Sequence, residues 1–196
     1  MNLKKLVEKV AAAQLAKPLL KTLVMFEDEA RFGRMSRPMR CWAPLGTRPE
    51  VKTQLVRQYD YAFGAVAPLT GQMDSLILPF CDTQMMGLFL EEVSKRHPDD
   101  HILMFMDQAA WHTTEKLNIP DNMTIDYLPP RSPQCNPQEP VWRVVRRDFL
   151  GNRHFNSLDA VSSATADGLK FLEDTPSFLK GLCGFDWIIS ALLYAS

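Results

Sequence analysis

The chain has 196 residues, of which 46% are hydrophobic and 23% are charged, and its formal net charge at pH 7 is -1. This length fits one domain with a sizeable core, and the composition excludes both a disordered chain and a fibrous repeat. The near-neutral charge lacks the overall basic excess that marks many nucleic-acid-binding proteins, so the distribution of charge matters more than its sum.

The chain carries no pattern that places it outside a reducing cytoplasm. None of its four cysteines lies in a Cys-x-x-Cys pair, and none has a histidine at a zinc-like offset. Residues 1–20 contain scattered lysines and lack the apolar core of a signal peptide. The longest late apolar stretch, residues 187–195, is far shorter than the roughly 20 residues of a membrane span. We therefore expect a cytoplasmic protein with no membrane partner.

Apolar residues recur at helical spacing in some segments, whereas in others they form short runs bounded by turn residues. In chain order these patterns predict a helix over 3–16, strands over 22–26, 41–42, 59–67 and 75–78, a helix over 83–96, a strand over 101–106, a short helix over 113–117, a strand over 123–128, and helices over 136–149, over 157–172 and from residue 177. Strands that first cluster and then alternate with helices predict a mixed α/β sheet covered on both faces.

Three acidic residues stand where this arrangement favours a metal site. Asp28 follows the apolar run of residues 22–26, and Asp107 follows that of residues 101–106. In open α/β sheets functional groups collect at the carboxyl ends of strands, and neighbouring strands lie about 4.8 Å apart. Glu139 stands in the first turn of a predicted helix. Clustered carboxylates repel one another unless a cation neutralises them, and hard divalent cations prefer such oxygen ligands.

Each of these acids also has a structural interpretation. Asp107 is suited to cap a following helix, and Glu139 stands at the capping-box position after Asn136. Asp28 lies between two further acids, Glu27 and Glu29, as a residue of a solvated surface would. Judged one at a time, the residues leave both interpretations open.

Basic residues cluster beside the acids, although the chain as a whole is nearly neutral. Such clusters suit contact with phosphate, whereas a solvated charged surface is the alternative for any single arginine. The candidate DNA-contacting residues are Arg31, Arg34, Arg37, Arg40, Arg131, Arg143, Arg146 and Arg147.

Three motifs resemble the catalytic domain of DDE transposases of the mariner-like superfamily, especially its bacterial insertion-sequence branch. They are Phe-Glu-Asp-Glu-Ala-Arg-Phe at residues 26–32, Met-Asp-Gln-Ala-Ala-Trp-His at 106–112, and the long motif at 128–142, which contains Ser-Pro-x-x-Asn-Pro-x-Glu-x-x-Trp. The motifs stand in the family's order, and the resemblance covers about residues 22–160. The chain departs from the pattern at Gln108, where the family usually has Asn.

The resemblance implies a ribonuclease H-like fold, with a mixed five-stranded sheet and helices on both faces. It implies that Asp28, Asp107 and Glu139 are catalytic and hold two Mg²⁺ ions, with Mn²⁺ as a substitute. The activity would be cleavage of double-stranded DNA at transposon ends and strand transfer into target DNA. Five residues are expected to support the acids from beside them: Glu29, Gln108, His112, Asn136 and Trp142.

The same resemblance predicts how the chain divides into segments. We expect an N-terminal helix and linker over residues 1–20, the catalytic domain over 21–160, and a helical extension of that domain over 161–196. About 20 residues before the first strand are too few for a helix-turn-helix module, so we expect a split-frame product or a truncated gene. A separately encoded helix-turn-helix polypeptide and a homodimer are the expected protein partners, and the nucleoid is the expected location when DNA is bound.

Two alternatives stay open. One is another ribonuclease H-like nuclease, although the motif from Ser132 to Glu139 argues against it. The other is a catalytically weak or inactive remnant that binds DNA or its full-length relative, which the intact acids disfavour.

Overall fold

The computed structural model describes residues 3–36 and 38–195. The strands are β1 (Lys21–Met35), β2 (Leu55–Ala67), β3 (Gln72–Leu78), β4 (Asp100–Met106) and β5 (Met123–Tyr127). The helices are α1 (Leu3–Ala16), α2 (Thr83–Arg96), α3 (Glu139–Val144), α4 (Leu158–Glu173), α5 (Pro176–Cys183) and α6 (Asp186–Ala195). A 3₁₀ turn over Pro133–Cys135 precedes α3, and a π-helical turn over Val145–Phe149 follows it.

The five strands form one mixed sheet in the order β3-β2-β1-β4-β5. β1, β2 and β3 pair antiparallel as a meander, whereas β4 and β5 lie parallel to β1. α2 connects β3 to β4, because a parallel strand is reached only through a crossover connection. This confirms the predicted mixed five-stranded sheet.

The sheet separates two hydrophobic layers, so helices cover both of its faces. Along β1, Val24 and Phe26 pack with α1, α3, α4 and α6, whereas Leu23 and Met25 pack with α2. Successive side chains of a strand point to opposite faces, so even-numbered and odd-numbered residues of β1 serve different layers. Phe26 stacks on Phe105 of β4 with ring centroids 5.1 Å apart.

The N-terminal helix is part of the larger layer. α1 buries Leu6, Val10 and Ala13 against the sheet and α6, at the spacing that the sequence predicts for an amphipathic helix. Lys9 of this helix pairs with Asp126 of β5. The proposed division of the chain at residues 20 and 160 stays a prediction, although α4 continues through residue 160.

No single helix within the described residues has both the length and the apolar character needed to cross a membrane. By length and composition alone, α5 and α6 satisfy that test only as a pair, which is bent by 104°.

Two predicted strands differ from the structure. β1 does not end at residue 26 but continues to Met35, because β2 pairs with it as far as Leu55. Residues 41–42, which were predicted to form a short strand, lie in an irregular segment, and Trp42 is fully exposed. A strand forms only where another strand pairs with it, and a local apolar pattern does not show where such a partner lies. The prediction for β1 was therefore too short, and the strand predicted at residues 41–42 does not form.

Two predicted helices also differ. Residues 113–117 form turns, in which the Thr114 hydroxyl accepts a hydrogen bond from the backbone of Lys116. Such a local side-chain contact competes with helix formation. The helix predicted over 136–149 begins only at Glu139 and widens into a π-helical turn after Val144. π-Helical turns inside helices are rare and occur frequently at functional sites.

Candidate active site

The structure brings the three predicted acids to one cavity of about 310 Å³, which we call the acidic cavity. Asp28, Asp107 and Glu139 all line it. The last register pair between β1 and β4 joins Phe26 to Phe105. Asp28 stands two residues after Phe26 within β1, and Asp107 stands two residues after Phe105, directly past the end of β4. Side chains two residues apart share a face, so both acids lie on the face that α3 covers. The sheet register therefore explains why these acids meet.

Asp28 lies within β1 rather than at its end. It stands opposite Gly64 of β2, and its Oδ2 accepts a hydrogen bond of 2.8 Å from the indole nitrogen of Trp142. Burial raises the pKa of Asp28 to about 7, although the hydrogen bond from Trp142 opposes this rise. The negative charges of Glu139 and Asp107 raise it further. A cation in the cavity would relieve this penalty on the ionised form.

Asp107 follows directly after β4, and its side chain is more than half exposed. Its Oδ1 accepts a hydrogen bond of 2.9 Å from the backbone of Ala109 and lies 2.9 Å from Nδ1 of His112. The hydrogen bond with His112 holds the pKa of Asp107 below its usual range. The interpretation of Asp107 as a helix cap is wrong, because residues 108–118 form turns and loop.

Glu139 is the first residue of α3, and its side chain is exposed. The capping-box interpretation is wrong, because the N-cap is Gln138 and not Asn136. Oδ1 of Asn136 instead accepts a hydrogen bond of 3.0 Å from the backbone of Gln138. Glu139 is therefore left facing the cavity, and Val141 and Trp142, which are both buried, anchor its helix.

Three of the predicted supporting residues connect the strand ends around this cavity. Trp142 packs edge to face on Phe32, with ring centroids 6.0 Å apart, while it donates to Asp28. Asn136 donates from Nδ2 to the carbonyl oxygen of Glu27 at 2.8 Å. Gln108 donates from Nε2 to the carbonyl oxygen of Leu128 at 2.9 Å, so its longer amide joins the segments that follow β4 and β5.

The other two, Glu29 and His112, belong to a buried cluster on the opposite face of the sheet. Glu29 Oε1 accepts a hydrogen bond of 2.8 Å from the indole nitrogen of Trp111 and lies 3.0 Å from Nε2 of His112. Burial opposes the charged form of His112, but its hydrogen bonds with Asp107 and Glu29 prevail and raise its pKa to about 11. His112 thus links Asp107 on one face with Glu29 on the other.

Glu27 also belongs to this cluster and is completely buried. The alternative interpretation of Asp28 as one of several solvated acids therefore fails at its neighbour. Burial, with the neighbouring charge of Glu29, raises the pKa of Glu27 well above its usual range. Alternation along β1 places Glu27 and Glu29 on the face opposite Asp28, which the sequence analysis did not predict because its strand ended at residue 26.

Four of the eight candidate arginines line a second cavity, of about 500 Å³, and Glu139 lies in the wall that it shares with the acidic cavity. Those four arginines are Arg31, Arg34, Arg143 and Arg146. Aromatic rings hold two of them, since Arg31 lies 4.4 Å over the ring of Tyr59 and Arg146 lies 5.1 Å over that of Phe32. Arg153, which the sequence analysis did not select, also lines this cavity. A pocket rich in fixed guanidinium groups suits an anionic backbone.

The remaining candidate arginines are scattered. Arg131 lines the acidic cavity, and its backbone has a left-handed φ of 54°. Arg147 forms two hydrogen bonds with the neighbouring Asp148. Arg40 is exposed and stands outside the lining of both cavities. Arg37 lies outside the described residues, so its predicted role stays a prediction.

Sequence reasoning also missed a close contact behind Asp28. A Cβ atom added to Gly64 would lie 2.3 Å from Nε2 of Gln138 and 2.8 Å from Cη2 of Trp142. Gln138 is completely buried, and its side-chain amide has no hydrogen-bond partner among the described residues. The position of Gln138 inside the long motif was a signal for it, whereas nothing in the local sequence distinguishes Gly64.

Comparisons with known proteins agree with this geometry. A family model described as "DDE superfamily endonuclease" matches residues 23–162, which include the three acids. The chain is 43% identical over 128 residues to the uncharacterized protein y4pE/y4sA of Sinorhizobium fredii (strain NBRC 101917 / NGR234), covering 65% of this chain and 95% of that protein.

Solved structures of the Mos1 transposase share the fold. A pre-cleavage Mos1 transpososome matches with a TM-score of 0.59 at 13% identity, over 96% of this chain and 61% of that one. The Mos1 mariner paired-end complex with Mn matches with a TM-score of 0.57 at 13% identity, over 97% and 61%. The chain thus spans about 61% of the length of these Mos1 chains. The likeness confirms the predicted ribonuclease H-like fold.

Proposed function

The chain belongs to the DDE superfamily endonuclease family, and from that premise we propose that its acidic cavity is the catalytic site of a transposase. The reaction would be metal-dependent cleavage of double-stranded DNA followed by strand transfer. In this proposal Asp28, Asp107 and Glu139 are the catalytic residues, as the sequence motifs predict.

The observation that carries the proposal is the convergence of the three carboxylates on one cavity. Their donor set fits hard divalent cations, which prefer carboxylate oxygens and leave positions open for water and phosphate. The raised pKa of Asp28 supports the same fit, because ionising this buried group beside other acids needs a compensating positive charge. When bound, two Mg²⁺ ions, or Mn²⁺ in their place, would activate the attacking hydroxyl and stabilise the departing 3′ oxygen.

The chain's own side chains would orient this site. Trp142 holds one oxygen of Asp28 and leaves the other for a cation. His112 and the backbone of Ala109 both hold Oδ1 of Asp107, and so fix that carboxylate at the end of β4. Glu139 projects from the first turn of α3, which its buried residues Val141 and Trp142 anchor against the core. Such positioning of ligands by neighbouring groups is what metal sites require.

The second cavity, which is lined by Arg31, Arg34, Arg143, Arg146 and Arg153 and which we call the basic cavity, would bind the DNA backbone on the far side of Glu139. Its arginines lie within one pocket that shares this residue with the acidic cavity. Arg31 and Arg146 rest on aromatic rings, so less conformational freedom remains to be lost when they bind phosphate. A duplex that follows both cavities would place a phosphodiester over the three acids.

The proposed substrates are the ends of a transposon and its target DNA. Mos1 structures related in fold include a complex with a left transposon end and a strand transfer complex. Further Mos1 complexes contain Mn or Mg. We extend these properties to this chain as a proposal, together with a homodimer, a separately encoded helix-turn-helix partner and a location on the bacterial nucleoid.

The test is cleavage of end-labelled duplex DNA by the full chain in the presence of Mg²⁺ or Mn²⁺. Asp107→Asn is the informative variant, because it keeps the size of the side chain while it removes the negative charge. Asp126→Asn is the control, since Asp126 lies in β5 and pairs with Lys9. We expect metal-dependent nicking or joining that Asp107→Asn abolishes and Asp126→Asn retains.

The assay should be repeated with any helix-turn-helix protein encoded next to this chain, because the proposed partner would supply recognition of the transposon ends. Cleavage that Asp107→Asn leaves unchanged would show that the acidic cavity is not the catalytic site. Absence of both cleavage and divalent-metal binding, with the partner present, would favour the inactive remnant.

A further inference from the structure

A second set of metal-ligating side chains lies on the face of the sheet opposite the acidic cavity. Ligand atoms of Glu27, Glu29 and His112 all lie within 4.8 Å of one another. Nε2 of His112 is 3.0 Å from Glu29 Oε1 and 3.9 Å from Glu27 Oε2. None of these three residues lines the acidic cavity, so they form a separate group, which we call the buried triad.

Glu27 is the member of the buried triad whose carboxylate has no hydrogen-bond partner among the described residues. The residue is completely buried, and neither carboxylate oxygen accepts a hydrogen bond from any part of the chain that the structure describes. Its Oε2 lies 3.9 Å from Nε2 of His112, which is too long for a hydrogen bond. Buried carboxylates without partners are costly, and pairing or metal coordination is the usual compensation.

The other nitrogen of His112 is held in the way that metal-binding histidines commonly are. Nδ1 lies 2.9 Å from Oδ1 of Asp107 and 3.1 Å from its carbonyl oxygen. A histidine that ligates a metal through one nitrogen usually donates the other N–H to a carboxylate or a carbonyl, which fixes the ring. In this structure that fixed orientation directs Nε2 at the two glutamates.

We propose that Glu27, Glu29 and His112 bind a transition-metal cation of the zinc type. Zinc takes one imidazole nitrogen and carboxylate oxygens in tetrahedral sites, at metal–ligand distances of about 2.0–2.2 Å. Tetrahedral ligands at that distance stand about 3.4 Å apart, a value between the two distances from Nε2 to the glutamates. One histidine with two carboxylates differs from the all-carboxylate donor set of the acidic cavity, which suits magnesium better.

Cys81 is the candidate fourth ligand, although its sulfur is not among the ligand atoms that all lie within 4.8 Å of one another. Its sulfur lies 3.7 Å from Oε1 of Glu29, at the beginning of the segment that leads into α2. Thiolate is a preferred zinc ligand, and zinc commonly takes four donors. Cys81 is half-buried and the side chain of Glu29 is 8% exposed, so the outer side of the triad has a route to solvent.

The proposal does not depend on nuclease activity, and its test removes the acidic cavity first. The background protein is the full chain carrying Asp28→Asn and Glu139→Gln, which keeps Asp107 and its contact with His112. Zinc chloride is titrated into this protein by calorimetry, and the metal retained after dialysis is counted. We expect one zinc ion per chain, and a loss of affinity of at least about tenfold when Glu27→Gln or Cys81→Ser is added.

Glu92→Gln is the matched control, because Glu92 is an exposed acid of α2 that pairs only with Arg96 among the described residues. It should bind zinc like the background protein. Circular dichroism checks the fold, and zinc-edge anomalous scattering from soaked crystals of the background protein locates the ion without any change to the triad. A peak among Glu27, Glu29 and His112 supports the site.

Three results would overturn the proposal. They are no zinc bound by the folded background protein, equal zinc affinity in the Glu27→Gln variant, and an anomalous peak only outside the triad. If the proposed nuclease function fails instead, zinc binding by the background protein is unaffected, so the two failures are distinguishable.

Discussion

The indole nitrogen of Trp142 donates a hydrogen bond of 2.8 Å to Oδ2 of Asp28, and it thereby joins the first turns of α3 to the middle of β1. The same side chain is 1% exposed and packs against Phe32, so its position is set by the core. The core thus orients a carboxylate of the candidate active site. Burial raises the pKa of this carboxylate, and the hydrogen bond from Trp142 limits the rise.

Replacing Trp142 with Phe separates these two roles. Phe retains much of the buried apolar surface, but it cannot donate to Asp28, so the pKa of Asp28 should rise above about 7. The ionised fraction of Asp28 at neutral pH then falls. Because a metal ion must displace this more tightly held proton, we expect the pH profile of Mg²⁺-dependent DNA nicking to shift to higher pH, with activity recovering in alkaline buffer.

Trp187→Phe in α6 is the control for indole loss, since Trp187 packs in the same layer outside the acidic cavity. It should leave the pH profile in place. If Trp142→Phe lowers activity equally at every pH, the indole acts through packing alone and does not influence the ionisation of Asp28.

The metal-free protein should lose stability as pH rises. The pKa of Asp28 is raised from 3.8 to about 7, and that of His112 from 6.5 to about 11. The folded state therefore binds more protons than the unfolded state between each pair of values. A raised pKa contributes stability that is complete below the unfolded value and is lost as pH passes the folded value. We expect Tm in EDTA to fall between pH 4 and 7 through Asp28, with Glu27 adding to the decline because its pKa is also raised, and to fall between pH 6.5 and 11 through His112.

The Asp28→Asn variant assigns the acidic part of this dependence. It should reduce the decline of Tm between pH 4 and 7, leaving the part that Glu27 contributes, while the decline at higher pH persists. Asp167→Asn, an exposed change on α4, should follow the wild-type curve. A wild-type Tm that rises steadily from pH 5 to pH 8 in EDTA would contradict the raised pKa values of both groups.

The positions of Asp107 and Glu139 were predictable because their signals are local, whereas the five-stranded sheet was expected from the family resemblance. Asp107 follows a buried run, β4, whose end is visible in the sequence, and the motif around Glu139 is long. The continuation of β1 beyond Asp28 was not predictable, because it depends on pairing with β2, which begins at Leu55. Which strand pairs with which is decided by packing of the whole chain, and a local pattern does not report it.

The buried triad was also not predictable from local sequence patterns. Alternation along β1 separates Asp28 from Glu27, but it does not show that Glu27 is completely buried. Glutamates are rarely buried without partners, so a solvated side chain was the natural expectation. The contact between His112 and Glu29 joins residues far apart in the chain, and only the folded structure shows that their side chains meet.

Gly64 is expected to tolerate no side chain. A Cβ atom there would lie 2.3 Å from Gln138 and 2.8 Å from Trp142, which are both buried against β2. Gly64→Ala would displace Trp142 and weaken its hold on Asp28. We expect a loss of about 1–3 kcal/mol in the free energy of unfolding, as overpacked cores show. Urea denaturation measures this loss, and nicking activity should fall with it.

Gly87→Ala is the matched control, because Gly87 lies in α2 and an added Cβ meets nothing within 4 Å. Alanine favours the helix by roughly 0.8–1 kcal/mol over glycine, so this variant should be as stable as wild type or more so. Equal unfolding free energies for Gly64→Ala and wild type would show that Gln138 and Trp142 can move aside without cost.

Arg143 offers the sharpest test of the basic cavity. It is exposed on α3, one turn after Glu139, and both residues line that cavity. Arg143→Gln should weaken duplex binding at low salt without regard to DNA sequence. If its guanidinium contacts one phosphate, the slope of log affinity against log salt should decrease by about 1. Fluorescence anisotropy across a salt series measures both quantities.

Arg147→Gln provides the comparison within the same helical segment. Arg147 pairs with Asp148 and does not line the basic cavity, so its charge is already partly compensated. We expect this variant to change affinity and salt slope less than Arg143→Gln does. Equal effects of the two variants would mean that DNA follows the outer surface of the π-helical turn, and the basic cavity would then lose its proposed role.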